Sequence, residues 1–95
     1  MIIGACTVDL HLPGNGSLKG KRSILKSLLL RLHKEFNLAA AEVDHHDAWQ
    51  SAQIALVSVS TDPGYLQGQL ERAVHWIEQH RPDLTVVDWR IEILG

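Results

Sequence analysis

Apolar and polar positions alternate residue by residue from Ile2 to Leu12. Ile2, Gly4, Cys6, Val8, Leu10 and Leu12 fall on one side, and Ile3, Ala5, Thr7, Asp9 and His11 on the other. A period of two is that of a strand with one buried face. Pro13-Gly14-Asn15-Gly16 breaks it, since these residues favour turns over regular structure. The period then lengthens. Ile24, Leu25, Leu28, Leu29 and Leu32 recur at three- and four-residue steps, which predicts an amphipathic helix capped by Ser17 and running to about Glu35. Residues 36–44 and 51–61 read as two strands around a turn near His45-His46-Asp47. Asp62 and Pro63 suit the cap and first position of a second helix. Leu66, Leu70, Ala73, Val74 and Ile77 form its buried side, and Pro82 ends it. In the last strand Thr85, Val87, Trp89, Ile91 and Ile93 alternate with Val86, Asp88, Arg90 and Glu92.

The order βαββαβ predicts an α+β, ferredoxin-like sandwich, a single domain over residues 1–95. Right-handed crossovers place both helices on one face of a four-stranded antiparallel sheet. The opposite face is then left uncovered, with Ile3, Ala5, Thr7, Gln53, Ala55, Val57 and Val59 on it. So apolar a surface predicts a homo-oligomer formed through the sheet face. A slip of one residue in register would instead turn these side chains inward.

Charge changes the picture more than composition does. The hydrophobic content of 45% over 95 residues is that of a folded domain with one core. The single cysteine excludes an internal disulfide and a cysteine-based metal site. The N-terminus lacks a basic, then long apolar, leader, and no apolar run reaches the length of a membrane span. A cytoplasmic protein without a membrane partner is the expectation. Net charge is only −2, but six of the nine Lys and Arg residues fall between Lys19 and Lys34, with no acidic residue among them. That segment carries +6, against −7 for residues 35–95. The local field, rather than the net charge, is what an approaching anion meets. On a helical projection Lys19, Arg22, Lys26, His33 and Lys34 share the face opposite the core stripe, with Leu30 among them. Cations near a helix N-terminus and like charges four residues apart are each unfavourable, and phosphates would relieve both. The candidate nucleic-acid-binding residues are therefore Lys19, Lys21, Arg22, Lys26 and Lys34, with structured RNA or a ribosomal subunit as partner. A contact of this kind reads phosphates and shape rather than bases.

His11-Leu12-Pro13, Ser17-Leu18-Lys19 and Lys21-Arg22, followed by Ala41-Glu42-Val43-Asp44 with Asp47, Trp49 and Gln50, resemble the small bacterial YlxP-like proteins, the DUF503 family. The resemblance covers nearly the whole chain and implies the same ferredoxin-like fold. It supplies no catalytic residues. Family members are often encoded beside translation and ribosome-assembly factors, which implies a link to RNA by association. Gly20 departs from the polar or charged residue that many relatives carry there.

Other chemistry is weakly signalled. The turn before the first helix sits where a P-loop would, but G-x-x-x-x-G-K-[ST] meets Asn15 in place of glycine and Arg22 in place of the hydroxyl. Asp44-His45-His46-Asp47 is the best metal candidate, although adjacent strand residues diverge unless a turn bends them together. It reads more simply as a polar hairpin turn, and no cofactor is expected. Asp9, Glu42 and Asp88 could form a carboxylate cluster on the sheet. Cys6 lies on the core face, and no serine has an evident His and Asp partner, so a non-enzymatic protein is expected. Trp49 and Trp76 read as packing anchors. The outward positions of strands one and three hold no aromatic residue, which argues against base stacking on the sheet. Two functions remain: RNA association through the first helix, and a self-associating structural protein that acts through its sheet face.

Overall fold

The computed structural model describes residues 1–95. In it β1 (Ile2–His11), α1 (Leu18–Glu35), β2 (Ala39–Asp44), β3 (Ser51–Ser60), α2 (Pro63–His80) and β4 (Thr85–Leu94) follow in the order read from the periodicity. The strands form one antiparallel sheet in the order β2-β3-β1-β4. β1 is central and pairs with β3 along its whole length, from Ile2 opposite Ser60 to His11 opposite Ser51. This is the ferredoxin-like α+β arrangement.

Local chemistry sets the helix boundaries. The Ser17 hydroxyl accepts the Gly20 N–H at 3.0 Å, and Asp62 Oδ1 accepts the Gly64 N–H at 2.9 Å, each satisfying an amide that the first helical turn leaves free. Leu25, Leu28 and Leu32 of α1 and Leu70, Ala73, Val74 and Ile77 of α2 meet Cys6, Val8, Leu10, Ile54 and Leu56 of the sheet in one cluster. Burying each large aliphatic chain contributes roughly 1.5–3 kcal/mol before conformational entropy is set against it. Gly4 permits the closest approach between layers. A Cβ there would stand 3.0 Å from Leu70 Cδ1 and 3.2 Å from Leu66 Cβ.

Two boundaries differ from the expected ones by more than fraying. β2 begins at Ala39, not at residue 36. Phe36 closes α1 by donating its N–H to the Leu32 carbonyl, and its ring packs edge-on against Trp76 at 6.5 Å. Half-buried Phe36 and buried Leu38 belong to a connection rather than to a strand, with Asn37 exposed between them. In β4 the pairing steps from Asp9 opposite Asp88 to Leu10 opposite Val86, so Val87 is bulged out and 64% exposed. Val86, not Val87, packs on the core with Trp89 and Ile91. A bulge shifts the alternation by one residue, which no strict period of two can anticipate. β1 and β3 each end one residue early.

The uncovered face has the register expected. Ile3, Ala5, Thr7, Gln53 and Ala55 are half-buried on it, and Val57 and Val59 are exposed. No helix is long and apolar enough to cross a membrane.

Candidate phosphate-binding surface on the first helix

One helix holds cations of three kinds, and its 3.6-residue period sorts them. Lys21 precedes Leu25, Leu28 and Leu32 by four, seven and eleven residues, which places it in the core stripe. It is 1% exposed. Its Nζ stands 2.9 Å from Glu42 Oε2 on β2, in an ion pair, and donates a hydrogen bond to the His45 carbonyl. An unpaired buried ammonium would cost several kcal/mol, so these partners are what make the position tenable. Lys21 is thus withdrawn from the expected phosphate-contacting set, because its charge is spent inside the molecule.

The same region ties two loops together. Asn15 Nδ2 donates to the Ser17 carbonyl at 2.9 Å and to the Trp49 carbonyl at 2.6 Å. Gln50 Nε2 donates back to the Asn15 carbonyl at 3.1 Å, and the Leu12 N–H donates to the Gln50 carbonyl at 2.9 Å. The S-L-K-x-K-R and A-E-V-D-x-x-D-x-W-Q segments, far apart in sequence, therefore meet in one clasp over the start of α1. Gly20 belongs to it by its smallness: a Cβ there would run into Asn15 Oδ1.

Asp44, His45, His46 and Asp47 form the turn of this clasp and do not converge. No group of three His, Cys, Asp or Glu side chains comes together. Asp44 Oδ1 accepts the N–H of His45, which adopts φ 63°, and His46 Nε2 lies 4.0 Å from Glu42 Oε1. Glu42 faces α1, so it does not join Asp9 and Asp88, which sit opposite each other on the uncovered face. Trp49 is held through its carbonyl while its side chain is 54% exposed, so it is not the packing anchor expected.

Lys19, Arg22, Lys26 and Lys34 make up the second kind. All are exposed, and none is in an ion pair. At about 1.5 Å per residue they extend over roughly 22 Å of helix. Arg22 and Lys26 also rim a shallow groove of about 560 Å³, floored by Leu25, Leu29 and the exposed Leu30. His33 lines the groove as well, and Glu42 closes it on the β2 side.

Arg31 is the third kind. It pairs with Glu35 at 3.1 Å, and its guanidinium carbon lies 5.5 Å from the centre of the Trp76 ring. Trp76 in turn stacks on His80 at 4.9 Å, the anchoring role expected of it. Elsewhere, burial pushes the Cys6 thiol up to about 11, which leaves almost no thiolate near neutral pH. Ser17 caps α1, and Ser58 Oγ donates to the Asn37 carbonyl.

A family model described as "Protein of unknown function (DUF503)" matches residues 3–91, and the chain belongs to that family. It is similar to the "Uncharacterized protein YlxP" of Bacillus subtilis (strain 168). The two are 30% identical over 77 residues, which cover 81% of this chain and 84% of that protein.

Proposed function

We propose that this DUF503 chain is a non-enzymatic, cytoplasmic protein that associates with structured RNA, free or within a ribosomal subunit, by gripping phosphates along α1. One observation carries the reading: Lys19, Arg22, Lys26 and Lys34 are exposed along a single helix without a carboxylate partner. Such a stripe works against the helix that bears it. Its first turn contains no acid, and Arg22 and Lys26 repel each other across one turn. A polyanion reverses both effects and gains further from counterion release. The acidic remainder of the chain repels the same polyanion, so the field orients the molecule with α1 forward.

The test is binding of a structured RNA across a range of salt concentrations, with Lys19, Arg22 and Lys26 changed together to Glu. All three are exposed, so the fold is retained, as melting will show. The wild-type affinity is expected to fall steeply with salt. The glutamate variant is expected to lose binding, and changing the same three residues to Gln should flatten the log–log slope by about 2–3, at roughly 0.7–0.9 per phosphate contact. Equal binding by the glutamate variant rejects the reading.

A further inference from the structure

The uncovered face of the sheet carries a pattern that α1 does not explain. Val57, Val59, Ile3, Ala5, Ala55 and Leu94 form a continuous apolar surface on β3, β1 and the end of β4. Cross-strand pairing puts Ile3 between Val59 and Leu94, and Ala5 between Val57 and Glu92. Charge lies at the edges of this face, with Asp44 of β2 opposite Gln53 and the larger share along β4. Asp88, Arg90 and Glu92 alternate along β4, opposite Asp9, Thr7 and Ala5.

We propose that this face binds the same face of a second copy of the chain, giving a two-fold dimer with the helices outward. Three features of the surface select that occupant. The first is area. Three strands of ten residues and one of six, about 4.8 Å apart and about 3.3 Å per residue, give a face of roughly 570 Å², near the lower end of what each partner contributes to a specific interface. The second is charge. Arg90 is the one cation beside three carboxylates, and it is two residues from Glu92 on an exposed edge strand. A two-fold axis brings residue i to j and j to i, so Arg90 of each copy can meet Glu92 of the other, forming two ion pairs from one sequence feature. The third is what the surface lacks for other occupants. It has no aromatic side chain on which a base could stack, and its Asp9, Asp88 and Glu92 repel phosphates and anionic lipid alike. The proposal does not depend on RNA binding, since the dimer leaves α1 untouched.

Sedimentation equilibrium on the full chain, without nucleic acid, tests it. The wild type is expected to be a dimer at micromolar concentration. Val57→Asp with Val59→Asp is expected to give a folded monomer, because both side chains already face solvent in the single chain. R90E is expected to raise the dimer dissociation constant about tenfold or more, and R90E with E92R to restore it by exchanging the partners. Both positions are exposed, so this pair remains informative should the aspartates impair folding. A monomeric wild type, a dimer that survives both aspartates, or a charge exchange that fails to restore association each overturns the proposal.

Discussion

Lys21 and Lys26 stand five residues apart on the same helix and have opposite surroundings. Lys21 is enclosed at the clasp, between Glu42 and the His45 carbonyl. Lys26 belongs to an exposed stripe where no side chain answers its charge. The first is a structural cation whose loss damages the fold, and the second is surplus to the fold and available to a partner. A count of positive residues treats them as equal. Their angle around the helix axis separates them.

The sharpest way to break that contrast is at Lys21. Lys21→Ala leaves the largely enclosed Glu42 carboxylate without its cation and the His45 carbonyl without a donor. Removing one member of a buried pair typically costs 3–5 kcal/mol; Glu42 keeps some solvent, so about 3 kcal/mol is expected in urea denaturation. Lys21→Met with Glu42→Leu removes both charges and should recover most of that loss, since an apolar pair of similar volume often replaces a buried ion pair at little cost. If Lys21→Ala is as stable as wild type but loses RNA binding in proportion to Lys26→Ala, the two lysines are of one kind and the contrast fails.

Much of this is legible in the sequence alone. The alternation in β1 and the three-and-four steps of α1 and α2 depend only on which residues avoid water, and the burial of Val8, Leu28 and Ile77 follows them. The uncovered face was legible for the same reason, through Val57 and Val59. What escaped was set by contacts between distant segments. Nothing local marks the bulge at Val87, which depends on how β4 meets β1. Phe36 and Leu38 look like strand residues, yet the connection packs Phe36 against Trp76 and places Leu38 in the core. Lys21 is the instructive case. Its spacing to Leu25, Leu28 and Leu32 already put it in the core stripe, but its partner Glu42 lies across the fold. Charge clustering pointed to a surface role, and periodicity pointed inward. Periodicity was the better guide, because a helix cannot turn one residue outward without turning the rest of its stripe.

Arg31 offers an intermediate case. Arg31→Ala removes an exposed pair with Glu35 and a contact with the Trp76 ring. Exposed i,i+4 pairs contribute about 0.3–0.5 kcal/mol and exposed cation–π contacts about 0.5–1 kcal/mol, so a loss near 1 kcal/mol is expected. The salt dependence of RNA binding should stay as in wild type, because Arg31 points toward α2 and away from the stripe. A flattened slope would enlarge the stripe by one residue and blur its boundary.

The smallest effect is the most discriminating, because it separates fold from function by sign. Lys19 sits in the first turn of α1, where the aligned peptide dipoles favour a carboxylate and disfavour an ammonium. Lys19→Glu therefore stabilises the folded chain by about 0.5 kcal/mol at low salt, a shift that melting at low ionic strength can resolve and that added salt should erase. The same substitution puts a negative charge where a phosphate is proposed to dock, so RNA affinity should fall while stability rises. A substitution that weakened both would make Lys19 a structural residue like Lys21. Opposite signs are expected only of a side chain kept for a partner at some cost to its own helix.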